Sequence, residues 1–589
     1  MVATGVDKGP GGKDAAELRR LQKTDMTPAP CHEDLKAYDY VLIVAPMGAL
    51  GGYREVKYVI PSRGSVGEEK GGQDSDKKHW AVAFALYDYV QGVSKELYAF
   101  IQDTIIVNLV KPQNKEKPVK QEIVEQLKLL LNCNDDSCTI DENLIDTLLK
   151  LEGKTSEAQK TIDRLKELRK EAKIHFVPGV ITRWIEEVLV TWRGGNQFYD
   201  VLKGTLVYYI LSALKKSCHK RIAIFVDTSH GINYFVTALK EAVPLAATLY
   251  LIHRIADGEP VEKLDICSYN SDPYPTPSRE CQSQKGGDAQ KDKAEQADKE
   301  TPSLKIHLVE RFEMVYTHKS ETETYTSINL YPVRSLVEDL FLTMGLKGIV
   351  NYLNQKWALG EDKWKSITAS VVLFLRGILG WSLSIAHSSN EDMLAEIGET
   401  VKKRGIRIEQ RSDKNEIAIT YIWGSNRKIG TDVVTFASIH SSLNRLGRCL
   451  ATPRMIEGSP YVCYPTKELE KYIEQFYAPP YREINLNELA SVRNYLEGKK
   501  KSDESSVRDS LEEKSRDREY CKPLEGGKGF ICGKREDADQ QAEGANPRNF
   551  YAHAGLSFEL DWGALKEEGE LLCFSKEVER VINILASSG

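Results

Sequence analysis

Arg221-Ile-Ala-Ile-Phe-Val226 is an almost wholly apolar run set between two helical stretches, and it constrains the fold more than any other part of the chain. A strand that is apolar on both faces needs cover on both faces, which a parallel sheet flanked by helices provides. The flanking text agrees. The spacing predicts a helix from about Phe198 to Lys216, then the strand, then a polar turn beginning Asp227-Thr228-Ser229-His230-Gly231. A helix from Ile232 to Val243 and a strand from Ala247 to Ile252 follow. Strands alternating with helices argue a parallel α/β sheet.

The alternation extends upstream. Tyr38 to Ala45 reads as a first strand, ending in the turn Pro46-Met47-Gly48-Ala49-Leu50-Gly51-Gly52. Trp80 to Val90 reads as a helix, and Glu96 to Ile106 and Lys173 to Pro178 as strands. Residues 1–37 form a charged N-terminal arm. Polar insertions are expected near 64–78 and 271–303, and a helical insert rich in Glu and Lys over 118–172. Residues 271–303 lack Leu, Ile, Val, Met, Phe and Trp, so they cannot bury enough surface to offset the entropy of ordering. After Tyr331 the text turns helical, over 331–356, 362–386, 391–403, 437–447, 467–476, 487–497, 547–553 and about 564–586. A β-containing insertion near 404–436 and a flexible, charged, Gly-rich insertion at 500–545 interrupt it. The expected organisation is an α/β Rossmann-like domain over 38–325 followed by a mainly α-helical domain over 326–589.

The totals limit the partners. Lys and Arg number 80 and Asp and Glu 86, for a formal charge of −6. Any RNA contact is therefore local, since the whole surface supplies no attracting field. The run from Ile367 to Ala386 is long enough to span a bilayer, but Arg376 at its middle, with Gly377 and Gly380, makes it a buried core helix in this reading. The first residues lack an apolar signal region, so a cytoplasmic protein without membrane attachment is expected. None of the 11 Cys has the spacing of a zinc knuckle, and they are expected as buried or free thiols, with a Cys133/Cys138 disulfide as the alternative.

Two loops carry the chemistry of a ligand site. Open α/β sheets bind ligands beyond the carboxyl ends of their strands. Met47, Gly48, Ala49, Leu50, Gly51 and Gly52 follow one strand; Gly48, Gly51 and Gly52 permit close approach of the backbone to a ligand. Thr228, Ser229, His230, Gly231, Ile232 and Asn233 follow another. The Thr228 and Ser229 hydroxyls and the N–H groups opening the next helix suit phosphates, and His230 and Asn233 suit ribose or base. An ordinary tight βα turn is the plain alternative for both.

A third segment, Asn546-Pro547-Arg548-Asn549-Phe550-Tyr551-Ala552-His553-Ala554-Gly555, carries reactive groups. Asn546 suits an N-cap and Pro547 the first helical position, which places Arg548 and His553 in the first turns, where an anion is favoured. RNA carries its own nucleophile in the 2′-hydroxyl. Cleavage needs that proton removed, a crowded anionic phosphorane stabilised and the leaving oxygen protonated. A histidine can move protons near neutral pH, an arginine can bridge phosphate oxygens, and no metal is required. Arg169/His175 and Arg311/His318 have similar spacing, but the first ends a charged helix and the second lies in strand-like text. A structural arginine with a satisfied histidine is the plain alternative.

Arg548-Asn549-Phe-Tyr-Ala-His553-Ala-Gly resembles the catalytic motif of HEPN ribonucleases, and the α/β half ending in Asp227-Thr-Ser-His-Gly-Ile-Asn-Tyr234 resembles the CARF sensor. Sensor followed by HEPN is the order of the Csx-type ancillary ribonucleases of type III CRISPR systems. The resemblance implies a homodimer, or a higher assembly of dimers, whose paired CARF domains bind cyclic oligoadenylate, in the first instance cyclic tetra-adenylate. It implies no other cofactor and no metal. It also implies that the activated HEPN pair cuts single-stranded RNA, leaving 2′,3′-cyclic phosphate and 5′-hydroxyl ends in antiviral defence. Arg548 and His553 would be catalytic and Asn549 supportive. The first loop departs from the Trp-Gly-Asn type common in close relatives. A sensing regulator that binds nucleic acid or a partner without cleavage is the alternative; it calls for a basic recognition helix, and none is clear. A dinucleotide-dependent enzyme would need a G-x-G-x-x-G fingerprint, which is absent.

Overall fold

The structure is a computed structural model of the chain. It describes residues 40–46, 57–59, 80–85, 137–140, 172–177, 181–185, 188–193, 198–227, 233–271, 303–319, 324–387, 393–402, 404–411, 416–422, 428–456, 459–496, 519–523, 529–534, 554, 556, 562–565, 570–575, 581, 583 and 585. The chain divides into two compact units: Met1–Pro244, Lys263–Glu313 and Glu399–Ser425 form the first, and Leu245–Glu262, Met314–Gly398 and Asn426–Gly589 the second.

The first unit contains β1 (Tyr40–Pro46), β2 (Lys57–Val59), β3 (Trp80–Ala85), β4 (Ser137–Ile140), β5 (Ala172–Val177), β6 (Ile181–Ile185), β7 (Val188–Arg193), α1 (Phe198–Leu214) and β8 (Arg221–Asp227). The first half of α2 (Asn233–Ala256), then β9 (Lys263–Ser271) and β10 (Ser303–Glu313), complete its main part. A seven-stranded sheet runs in the order β2-β10-β9-β8-β3-β1-β5. Strands β5, β1, β3, β8 and β9 are mutually parallel, and β10 runs antiparallel to β9. The apolar run that opened the sequence reading is β8, central in this sheet, with Ile222 and Ile224 buried.

Several expectations are corrected here. Trp80–Ala85 is a strand rather than the start of a helix, because it lies between β1 and β8 and an interior parallel strand shows no alternation to read. Ala247 to Ile252 is helical and continues α2 through Pro244. Leu245, Ala246, Ala247, Leu249, Tyr250, Leu251 and Ile252 are all buried, so a helix covered on every side mimics a buried strand in sequence. The expected helical insert at 118–172 contains strand β4. The strands of the expected insertion near 404–436, β13 (Arg404–Arg411) and β14 (Glu416–Ile422), belong to the first unit, in a five-stranded sheet ordered β4-β13-β14-β7-β6.

After the second half of α2, the second unit continues with the hairpin β11 (Val315–Lys319) and β12 (Thr324–Ile328). Helices α3 (Tyr331–Lys356), α4 (Glu361–Leu375), α5 (Leu379–His387) and α7 (Thr431–Leu450) pack on one another, and α6 (Met393–Lys402) precedes α7 in the chain. Trp357, Trp364, Trp381, Phe374 and Phe436 are fully buried, and the Trp364 indole donates to the Trp357 carbonyl at 2.8 Å. The expected single helix over 362–386 is broken at Gly377, whose φ of +84° ends α4. A Cβ there would meet the Tyr481 ring at 2.6 Å, so a side chain is excluded by both backbone and space.

Beyond α7 come β15 (Thr452–Ile456), β16 (Ser459–Pro465), α8 (Thr466–Phe476), α9 (Tyr481–Leu496), β17 (Glu519–Pro523), β18 (Gly529–Lys534), β19 (Trp562–Leu565) and β20 (Leu571–Ser575). The last strands correct the helix expected from 564 to 586, of which residues 581, 583 and 585 are helical. They form an antiparallel sheet ordered β15-β16-β20-β19-β18-β17. The second unit is thus helix-rich with a six-stranded sheet, more strand than the expected small insertion, and the expected flexible insertion at 500–545 contains the paired strands β17 and β18. Among the described residues one helix, Tyr234–Ala256, is long and apolar enough to cross a membrane, and 72% of its most apolar window is buried inside the protein.

Candidate functional site

The parallel register places both predicted ligand loops at one edge of the seven-stranded sheet. Leu42 of β1 pairs with Phe84 of β3, and Phe84 pairs with Val226 of β8. Chain direction is shared, so the segments after Pro46 and after Asp227 leave the same carboxyl edge, on either side of β3. Two strand spacings separate β1 from β8, and Pro46 reaches three residues further along the strand direction than Asp227, so the starting points are about 14 Å apart. Met47, Gly48, Ala49, Leu50, Gly51, Gly52, Thr228, Ser229, His230, Gly231 and Ile232 lie outside the described residues. Asn233 is the first residue of α2.

Helix α2 has no acidic residue in its first turn, so the positive end of its dipole at this edge is not neutralised by its own sequence. The first turn of helix α1 meets that of α2. The Phe198 and Tyr234 rings pack edge to face, with centroids 5.5 Å apart. Beside this pair, the Tyr199 hydroxyl donates to Glu241 at 3.3 Å and Lys203 Nζ lies 2.6 Å from the same carboxylate. Burial, and then the Glu241 charge, push the Tyr199 phenol up to about 12, so it remains a neutral donor. Sequence reasoning missed the Phe198/Tyr234 pair; the signal for it was an aromatic residue in the first turn of each helix flanking β8.

Arg548, Asn549 and His553 lie outside the described residues. The residue after His553 is described: Ala554 takes φ +49°, the left-handed conformation that often closes a helix, and Leu556 is buried. The competing arginine–histidine pairs are accounted for. Arg311, on β10, bonds Asp265 at 2.9 Å, and Lys263 lies 3.5 Å from the same carboxylate. His318, on β11, has Nε2 2.8 Å from Ser327 Oγ and its ring stacked 4.7 Å from that of Tyr325. Arg482 covers Tyr325 at 3.7 Å, necessarily on the other ring face, since both groups cannot occupy one face at those distances. Arg169 lies outside the described residues, and His175 is in β5.

The helices of the second unit enclose two polar pairs. Lys356 and Asp432 meet at 2.7 Å with both side chains nearly sealed from solvent. His440 Nδ1 is 2.8 Å from Ser370 Oγ. Both pairs lie at helix-packing surfaces and serve the core. The buried Cys267 thiol is pushed up to about 11, first by burial and then by the Asp265 charge, which leaves it unreactive at neutral pH. Among the described residues, no group of three or more His, Cys, Asp or Glu is placed to hold a metal ion.

Residues 42–273 match the family model of the CRISPR system endoribonuclease Csx1, CARF domain. The match supports a CRISPR Csx1-type CARF protein. It covers less than half of the chain and takes in β1, β3, β5 and β8, with both carboxyl-edge loops. CARF domains bind cyclic oligoadenylate ligands, and the match implies such sensing in type III CRISPR defence. No curated protein matches the chain.

Proposed function

We propose that this chain is a cyclic-oligoadenylate-activated, metal-independent endoribonuclease that acts as a homodimer on single-stranded RNA. The observation that supports the sensor half is that β1 and β8, which lead into a glycine-rich and a hydroxyl-bearing segment of the sequence, end at the same carboxyl edge of a sheet inside the CARF match. A spacing of about 14 Å between the strand ends that lead into the loops suits a ligand with several phosphates and bases held by more than one loop. The α2 N-terminus supplies N–H groups for phosphate. The nuclease half rests on Arg548, Asn549 and His553 and on the resemblance of their motif. There the RNA 2′-hydroxyl attacks its own phosphorus, a histidine takes its proton, arginines hold the anionic phosphorane, and a proton returns to the leaving 5′-oxygen.

The test is digestion of single-stranded RNA in EDTA, with and without cyclic tetra-adenylate. Cleavage is expected only with the ligand, leaving 2′,3′-cyclic phosphate and 5′-hydroxyl ends. His553→Ala is expected to lower the rate by about 10²-fold or more, the scale of a lost general acid or base. Unchanged cutting by that variant, or dependence on added divalent metal, would overturn the nuclease reading. Ligand binding without any cleavage would leave a sensing regulator.

A further inference from the structure

We propose that helix α2 carries ligand occupancy from the first unit to the second, and that Arg445 on α7 latches its far end. The inference rests on the sensor reading above and names the element by which that sensor acts. Helix α2 has 24 residues, about 36 Å at 1.5 Å per residue. Its first turn follows the 228–232 loop directly. Residues up to Pro244 belong to the first unit, and those from Leu245 to the second. Helix α6 is also divided between the units, but it leads to β13, in the five-stranded sheet rather than the one bearing the carboxyl-edge loops.

The second half of α2 is gripped rather than draped. Its side chains from Leu245 to Ile252 are buried, and Thr248 Oγ1 donates to the Asn329 carbonyl at 3.0 Å. At its end three groups close a ring. Arg445 Nη1 lies 3.1 Å from Asp257, His253 Nε2 lies 3.3 Å from Asp257, and Arg445 Nη2 contacts His253 Nδ1. A guanidinium can only donate, so Nδ1 accepts, and the imidazole proton sits on Nε2 and is donated to Asp257. Arg254 turns elsewhere, bonding the Glu259 carbonyl at 3.0 Å and the Tyr250 hydroxyl at 3.3 Å, and secures the helix end on itself. Arg445 and Asp257 keep 41% and 34% of their side-chain exposure, so the latch is cheap to make and to release, as a switch requires.

The receiving helix is central. Helix α7 packs against α3, α4 and α5, and α5 places Trp381 on Phe574 of β20 at 5.2 Å. A movement of α7 therefore reaches the sheet whose strands β19 and β20 follow the Arg548–His553 segment in the chain.

The experiment uses the full chain with cyclic tetra-adenylate as probe, reading affinity by calorimetry and amide hydrogen exchange over residues 431–450. In the wild type, ligand is expected to change exchange across α7 by about tenfold. Arg445→Gln and Asp257→Asn are expected to bind the ligand within about twofold of wild type while that response disappears. Both positions are partly exposed, and thermal melts establish that the variants are folded. Variants that keep the full response overturn the proposal. So does a wild-type response confined to residues 1–244, a result that needs no variant. Failure of the wild type to bind any cyclic oligoadenylate would instead remove the sensor reading, and the coupling with it.

Discussion

His440 has one ring nitrogen satisfied and the other enclosed without a partner. Ser370 Oγ also lies 2.9 Å from the Ile367 carbonyl, and its single proton serves one neighbour at a time. Whichever tautomer forms, a charged imidazole would have no counter-ion here, and burial lowers the pKa from 6.5 to about 4. The sign follows. Below pH 6.5 the unfolded chain takes up a proton that the folded chain refuses until about pH 4. The stabilising contribution is intact above pH 6.5 and shrinks as pH falls toward 4, by about 3 kcal/mol for this one group. Urea midpoints of wild type and His440→Gln, compared between pH 7 and pH 5, should converge as pH falls. Parallel curves would show that His440 titrates normally.

At the scale of elements, the junction of β16 and β20 is the most constrained. Cys463 and Cys573 are direct cross-strand partners, fully buried, and joined by a disulfide across a separation of 110 residues, which corrects the expectation of free thiols for these two. The loop it closes contains Arg548 and His553, so the bond restricts the unfolded state of the segment proposed for catalysis. Losing a disulfide that closes a loop this long costs about 2–5 kcal/mol. Cys573→Ala should lower the unfolding midpoint accordingly, and peptide mapping without reductant should recover the two cysteines linked. Free alkylation of both in unreduced, denatured protein would contradict the bond.

The sequence could not reveal this pair, because 110 residues separate the partners and only the register brings them together. Elements with a clear period or clear ends were legible: β8, β5, α1, α3 and α8 lie close to where their patterns placed them. Elements whose sequence has no polar face were not. Ala247 to Ile252 has no polar face, and Pro244 looks like a stop, so the second half of α2 read as a strand. Trp80 to Ala85 erred in the opposite direction. Of the candidate site, the sequence pointed to the loops but not to the aromatic pair Phe198/Tyr234, which depends on how α1 and α2 meet.

At the scale of the whole molecule, the proposed reaction sets the assembly. The attacking and leaving oxygens lie on opposite sides of phosphorus, and one imidazole cannot serve both at once. An ideal helix turns about 100° per residue, so positions five apart, such as Arg548 and His553, do not share a face. Two copies related by a twofold axis solve both problems, each giving one arginine and one histidine to a common cleft. A chain with a net charge of −6 gains from this arrangement, because paired cations concentrate attraction where the phosphate lies. Mixing therefore has a definite outcome. If one wild-type chain is allowed to exchange with three His553→Ala chains, random pairing leaves a wild-type partner about a quarter of the time, and ligand-stimulated activity per wild-type chain should fall to about a quarter. Activity that stays constant per wild-type chain would mean that each protomer cuts alone. The division of labour between two histidines would then be wrong even if each one proved essential.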